Sequence, residues 1–319
     1  MNDAVIISFI LPCYGSEKTL EAVVNEIRSV VGQKKEYDYE IVAVNDCSPD
    51  GVWEVIKKLA AEDCKVKGID FAKNRNRPGA VMAGLANSSG DYCVVMDDDG
   101  QCPMPELWKL LQPLYEGYDV SIASYPERKQ SAFKNFGTEV NKLMTEFIIG
   151  RPRNLQFTNF MIMKRFVADK ITEYKNPYPY LTGLLLRTTQ HIANVEMEQR
   201  ERLEGGTTFT FKKMVALWMN GFTAFSIKPL RMADIVGAVS AVIGFIYAIV
   251  TIVRKLVNPD IAVGYSSLMA VMLIIGGIIM VLLGLIGEYI GRIYMCINDS
   301  PQYVIREKLN FKAEENKNG

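Results

Sequence analysis

Two acidic stretches carry most of the side chains that could do chemistry. Asn45-Asp46-Cys47-Ser48-Pro49-Asp50-Gly51 follows the apolar run Tyr39 to Val44, and Asp97-Asp98-Asp99-Gly100-Gln101 follows Tyr92 to Met96. Three consecutive carboxylates repel one another, and a divalent cation at the mouth of a sheet relieves that repulsion. The Asp97 and Asp99 pair meets the demand of magnesium for one or two carboxylates beside substrate phosphates. A solvated acidic turn or a helix cap is the plainer reading of an Asp-x-Asp, but the strand before it and Gln101 after it favour metal and phosphate binding. Lys73, Arg75 and Arg77 alternate behind the run Val66 to Phe71. They are placed either to hold a nucleotide diphosphate or to bind a neighbouring acidic loop. Pro12-Cys13-Tyr14-Gly15-Ser16 stands where a Walker loop or a GxGxxG turn would follow a first strand, so ATPase and dinucleotide readings lose support. His191, the single histidine, permits neither a His-based triad nor a zinc cluster.

Ala4 to Leu11, Tyr39 to Val44, Val66 to Phe71 and Tyr92 to Met96 read as strands, rich in Val, Ile and aromatic residues. Between them lie helical patterns. Leu20, Val23, Val24, Ile27 and Val31 share one helix face, and Trp53 to Leu59 and Leu107 to Tyr115 continue the alternation. Strand, helix, strand from the N-terminus predicts an α/β domain with a doubly wound, Rossmann-like parallel sheet. Ligands of such sheets bind at the carboxyl ends of the strands, where both acidic stretches fall.

The chain has 319 residues, 36 basic and 36 acidic, so composition offers no field for a polyanion and nucleic acid is not an expected partner. Six cysteines without a CxxC pair fit a reducing compartment. Ile235 to Val253 and Ile261 to Gly287 contain no charged residue, and each is long enough to cross a bilayer as a helix. The expected spans are about 235–253 and 264–287, joined by a short polar turn around Asn258 and Pro259. The first thirty residues lack the basic leader and cleavage site of a signal peptide. Lys228, Arg231, Arg292, Arg306 and Lys308 outside the spans give a modest bias toward chain ends on the cytoplasmic side. The expected organisation is a cytoplasmic domain over 1–230, a multi-pass hairpin in the inner membrane over 231–296, and a cytoplasmic tail over 297–319. Phe133, Phe136, Val140, Leu143 and Phe147 line one face of a helix near 131–149, and Lys212, Lys213 and Trp218 mark a second segment near 211–220. Both are expected at the bilayer interface, the alternative being core helices packed on the sheet.

These stretches resemble, in order, the motifs of family 2 glycosyltransferases of GT-A fold, in the branch that charges polyprenyl phosphate with a sugar. Leu11-Pro12-Cys13-Tyr14 is similar to that family's opening, Asn45 to Gly51 to its D/N-D-G-S-x-D-G loop, and Asp97 to Gln101 to its D-x-D-x-Q metal motif. Phe225-Ser226-x-x-Pro229-Leu230-Arg231 and Gly287 to Tyr294 resemble the segments that flank its membrane hairpin. Bactoprenol glucosyltransferases, undecaprenyl-phosphate aminoarabinose transferases and dolichyl-phosphate mannose synthases belong to this branch. The resemblance implies an inverting transfer from a nucleotide sugar, nominally UDP-glucose, to polyprenyl (undecaprenyl) phosphate, with Mg2+ or Mn2+. Asp97, Asp99 and Gln101 would hold the metal, and Pro12, Tyr14, Asp46, Lys73, Asp97 and Asp98 the nucleotide sugar. Arg128, Lys134, Thr138 and Arg202 would hold the acceptor phosphate, with Asp97, Asp99 and Arg202 the catalytic set.

The chain departs from the pattern at Cys47 and Asn76, which stand at glycine positions, at Tyr125 in place of an arginine, and at Gln156 to Phe160, where relatives often place an aspartate. A phosphate acceptor needs no such base, because its second pKa of about 6 leaves it mostly dianionic at neutral pH. Arg200 is expected to pair with Glu198 or Glu201. Gly287 and Gly291 form a GxxxG spacing, which with the resemblance implies a homo-oligomer, a tetramer, while packing of the two spans within one subunit is the alternative. Two further readings are a membrane-tethered nucleotide-sugar-binding protein without turnover and a transferase for another acceptor.

Overall fold

The computed structural model describes residues 4–125, 146, 152, 155–201, 228–258, 264–298 and 300–311. They divide into two units, one formed by residues up to 214 together with those from 300 onward, the other by 215–299.

The first unit begins with β1 (Val5–Cys13), α1 (Leu20–Val31), β2 (Tyr37–Asn45), α2 (Val52–Glu62), β3 (Val66–Phe71), α3 (Asn76–Ala86) and β4 (Tyr92–Val95). β1, β2, β3 and β4 run parallel in the order β3-β2-β1-β4. Helices on a parallel sheet bury its strands on both faces, which is why β1 reads as the nearly unbroken apolar run VIISFILPC. The stripe Leu20, Val23, Val24, Ile27, Val30 and Val31 of α1 is buried, as its spacing predicts. The chain moves from β1 outward to β2 and β3, then returns to the other side of β1 with β4. That reversal leaves a crevice beyond the carboxyl ends of β1 and β4.

The remaining elements are α4 (Leu107–Tyr115), β5 (Val120–Ser124), β6 (Met161–Lys164), α5 (Arg165–Thr172), α6 (Leu181–Thr188), β7 (Ile192–Glu196) and, after the second unit, β8 (Ile305–Leu309). They complete an eight-stranded sheet of order β7-β5-β6-β4-β1-β2-β3-β8. The sheet is mixed rather than wholly parallel: β6 is antiparallel to β4 and β5, and β8 is antiparallel to β3. The expected tail over 297–319 therefore contains the edge strand β8. Its sequence IREKL is mostly charged, a composition that suits an edge strand but conceals it from a search for apolar runs.

The second unit contains α7 (Lys228–Val257) and α8 (Tyr265–Ile297). Within them Gly237–Arg254 and Ile274–Ile297 have mean hydropathies of 1.9 and 2.1, are not buried, and are long and apolar enough to cross a membrane. α8 runs past the expected limit of 287, and Arg292 and Glu288 on its extension pair at 2.8 Å. A Cβ built on Gly287 or Gly291 would meet nothing within 4 Å, so neither glycine is used for packing among the described residues.

Candidate active site

The loop after β2 is anchored on every side. The Asp46 N–H donates to the Cys13 carbonyl at 3.0 Å, and its Oδ1 accepts the Arg75 N–H at 2.6 Å. Asn74 Nδ2 donates to the Asp46 carbonyl at 3.0 Å. Ser48 Oγ donates to Asp50 Oδ1 at 2.6 Å and accepts the Gly15 N–H, while Asp50 Oδ2 accepts the Glu17 N–H. Glu17 returns the connection by accepting the Gly51 N–H at 3.0 Å. The loops after β1, β2 and β3 are thus one hydrogen-bonded body. Asp46 is 3 % exposed, and burial holds its carboxyl up at about 6 against the Arg75 and Asn76 N–H groups that favour the anion.

Cys47 and Asn76 both adopt left-handed backbone, with φ of 53° and 60°. The turn geometry that glycine would supply freely is therefore kept by residues for which it costs energy, less for asparagine than for cysteine.

The loop after β4 is less satisfied. Asp98 is buried, and its Oδ2 has no hydrogen-bond partner among the described residues; neither does Oγ of the buried Ser16 in the loop after β1. Burial raises the Asp98 carboxyl to about 7, with the charges of Asp97 and Asp99 adding to the shift. Asp97 is held by side chains: Arg77 Nε donates to its Oδ1 at 2.7 Å and Asn159 Nδ2 to its Oδ2 at 2.6 Å. Asp99 Oδ1 accepts the Gln101 N–H at 3.1 Å. No group of three His, Cys, Asp or Glu side chains is arranged to enclose a metal among the described residues. The oxygen donors present, three consecutive carboxylates and the Gln101 amide, nonetheless suit a hard divalent cation.

The three basic residues after β3 separate into different roles. Lys73 is exposed, Arg75 keeps a buried Nε without a partner, and Arg77 takes the second of its expected roles by binding the acidic loop. Pro12, next to last in β1, is half-buried opposite Val44, and Tyr14 is exposed just beyond the strand, so Pro12, Tyr14, Asp46, Asp97, Asp98, Asp99 and Gln101 all lie on the loops or strand ends at the carboxyl edge of the parallel sheet. Arg128, Lys134, Thr138 and Arg202, the segment 211–220 and, apart from residue 146, the segment 131–149 lie outside the described residues. Arg200 pairs with Glu26 on α1 at 2.7 Å, not with Glu198 or Glu201, because its N–H donates to the Gln101 carbonyl and brings the segment across the loop after β4 toward α1. Tyr125 is half-buried near Asp97 and Asp99, and burial raises its hydroxyl above the ordinary tyrosine range. Sequence reading missed Asn159. It sits in the stretch where a base would be sought, but its amide donates to Asp97 and has no proton-accepting role there.

An open α/β sheet with acidic loops at its switch point and an apolar helical hairpin in the same chain has the architecture of a membrane-associated glycosyltransferase of GT-A type. Residues 8–172 match Glycosyl transferase family 2 and residues 228–293 match the GtrB C-terminal hairpin. The chain belongs to glycosyl transferase family 2. It is 32 % identical over 98 % of its length to a Bacillus subtilis protein named uncharacterized glycosyltransferase YkcC, covering 97 % of that protein. It is 30 % identical over 94 % of its length to the SfII prophage-derived bactoprenol glucosyl transferase of Shigella flexneri, covering 97 % of that protein. The undecaprenyl-phosphate 4-deoxy-4-formamido-L-arabinose transferase of Proteus mirabilis is 29 % identical, with 98 % of this chain and 96 % of that protein covered. Among solved structures, glucosyl-3-phosphoglycerate synthase from Mycobacterium tuberculosis, in complex with Mn2+ and UDP-glucose, superposes with a TM-score of 0.50. Its sequence is 20 % identical, with 69 % of this chain and 77 % of that chain covered, a likeness of fold.

Proposed function

We propose that this protein transfers a sugar, nominally glucose from a UDP donor, to polyprenyl (undecaprenyl) phosphate at the cytoplasmic face of the membrane, with inversion at the anomeric carbon and a requirement for Mg2+ or Mn2+. The observation that carries the proposal is similarity over nearly the whole chain, hairpin included, to transferases named for bactoprenol and undecaprenyl phosphate.

In this reading the body formed by the loops after β1, β2 and β3 holds the nucleotide through Pro12, Tyr14, Asp46 and Lys73. Asp97, Asp99 and Gln101 hold the cation, which when bound neutralises charge on the departing nucleoside diphosphate. Arg128, Lys134, Thr138 and Arg202 hold the acceptor phosphate, the guanidinium of Arg202 matching two oxygens at once. Without a cation, Arg77 and Asn159 bond the two carboxylate oxygens of Asp97. The acceptor phosphate is mostly dianionic at neutral pH and attacks without a base, which agrees with an asparagine at position 159. What the side chains must supply is approach of two anions and stabilisation of an oxocarbenium-like centre. The open face at Gly287 and Gly291 supports association of hairpins from separate copies into a tetramer.

The test is to incubate detergent-purified protein with Mn2+ or Mg2+, undecaprenyl phosphate and a panel of labelled UDP- and GDP-sugars, and to count label extracted into organic solvent. Label from one donor, lost in Asp99→Asn, is the expected result and names the sugar. Absence of lipid label from every donor, with nucleotide binding intact, overturns the assignment of acceptor and turnover.

A further inference from the structure

The strand that follows the hairpin is wired into the donor side of the sheet. Asp70, at the carboxyl end of β3, is 2 % exposed, so its carboxylate needs partners. It has two. Asn45 Nδ2 donates to its Oδ1 at 2.7 Å, and Arg306 Nη1 of β8 donates to its Oδ2 at 3.1 Å. Asn45 closes β2 and immediately precedes Asp46, and its own Oδ1 accepts the Ser48 N–H at 3.0 Å. A single line of hydrogen bonds therefore runs from Arg306 through Asp70 and Asn45 into the loop that carries Asp46.

The same strand also grips the loop after β3. Arg306 Nη2 reaches the Ala72 carbonyl at 3.5 Å, the Ala72 N–H donates to the Val304 carbonyl at 2.9 Å, and Tyr303 stacks on Phe71 with ring centroids 5.4 Å apart. Ala72 leads directly into Lys73, Asn74 and Arg75, the last two of which bond Asp46. Both loops that meet at Asp46 are thus fastened to residues 303–306.

We propose that Arg306 is a positioning residue for the donor nucleotide: by completing the charge balance of Asp70 it fixes Asn45, and with it the loop bearing Asp46. The proposal rests on the reading of that loop as the nucleotide side of the site. Removing the guanidinium leaves Asp70 buried with one neutral partner, and the readiest relaxation is rotation of Asn45 away from the Ser48 N–H. The line leads from β8 to the loop read as the donor side of the site.

The experiment uses the full-length protein in detergent. Binding of UDP and of GDP with Mn2+ is measured by calorimetry for wild type, Arg306→Ala, Arg306→Lys, Lys308→Ala and Asp46→Ala, and steady-state KM values are taken for donor and for undecaprenyl phosphate. Arg306→Ala should weaken the nucleotide that wild type binds by roughly three- to tenfold, the usual scale for one charged hydrogen bond acting through a neighbour. Donor KM should rise with it while acceptor KM stays within twofold. Arg306→Lys should recover most of the loss, and Lys308→Ala, on the same strand but off the line, should bind as wild type. If Arg306→Ala does not fold, Asp70→Asn carries the same expectation. Wild-type affinity in Arg306→Ala beside weakened binding in Asp46→Ala overturns the positioning role and spares the donor-loop reading. Unchanged binding in Asp46→Ala, or no binding of either nucleotide by wild type, removes the donor-loop reading and the proposal with it. Equal losses for Arg306→Ala and Lys308→Ala, or for donor and acceptor alike, show general weakening of the edge and also overturn the proposal.

Discussion

The two acidic loops, one after β2 and one after β4, are built on opposite principles. In the first, Asp46 and Asp50 accept hydrogen bonds from neighbouring backbone N–H groups and from Ser48, so their oxygens are partnered by fixed parts of the fold even though burial still raises the Asp46 carboxyl to about 6. In the second, Asp97 is met by the side chains of Arg77 and Asn159, and burial with the neighbouring charges of Asp97 and Asp99 pushes the Asp98 carboxyl up to about 7. A buried carboxyl is costly to ionise, and a cation bound beside it would favour the ionised form. The first loop is an anchor whose shape is finished before any ligand arrives. The second is balanced by side chains that a cation could replace.

That contrast is broken most directly by exchanging carboxylates for amides. Asp99→Asn should lower sugar transfer by about two orders of magnitude or more, the scale expected for losing one preorganised charge-stabilising group, while leaving nucleotide-free stability near wild type. Turnover near wild type in a labelled-donor assay would place the metal elsewhere. In the anchor loop the charge of Asp46 affects stability with a definite sign. Its folded pKa of about 6 lies above the model-peptide range, so its contribution is full below about 4 and is lost as pH rises through about 6. Denaturation of wild type and Asp46→Asn across pH 4 to 7 should show the variant gaining on wild type by on the order of 1–3 kcal/mol. A difference that stays constant over that window would mean the carboxyl is not desolvated.

A third test acts on the side chains that hold Asp97. If Arg77 occupies the carboxylate until a cation displaces it, Arg77→Gln should lower the Mn2+ concentration for half-maximal activity by roughly threefold or more, one competing ion pair having been removed. An unchanged metal requirement would make Arg77 a fixed part of the site.

The parallel half of the sheet was legible because its strands are buried on both faces and its helices on one, and such burial writes apolar runs and stripes into the sequence. Tyr39 to Val44 and Leu20 to Val31 needed no partner to be recognised. β8 and Asn159 were not legible, for different reasons. β8 is an edge strand whose exposed face is charged, so IREKL looks like a soluble tail until β3 is placed beside it. Asn159 has meaning only through Asp97, a contact across 62 positions that no local pattern encodes. Arg200 was misassigned on the same ground: the nearest acid in sequence is a poor guide when Glu26 is nearer in space. The acidic loops themselves were readable because each motif is contiguous and follows a recognisable strand.

The smallest expected effect concerns the turn at the centre of the anchor. Cys47 stands at a glycine position yet keeps φ at 53°, a conformation in which its Cβ crowds the backbone at a cost of roughly 1–2 kcal/mol. Asn76 carries a similar φ of 60° at lower cost, because asparagine visits that region more readily. A rigid, fully bonded loop can hold such a residue in place, whereas a loosely held one would relax. Cys47→Gly should therefore raise the melting temperature by about 2–4 °C, the gain from relieved backbone strain being reduced by the greater freedom of glycine in the unfolded chain. Asn76→Gly should change it by less. A fall in melting temperature for Cys47→Gly would mean that the thiol contributes more through its contacts than the backbone loses through its conformation, and the anchor would then depend on that side chain as well as on its hydrogen bonds.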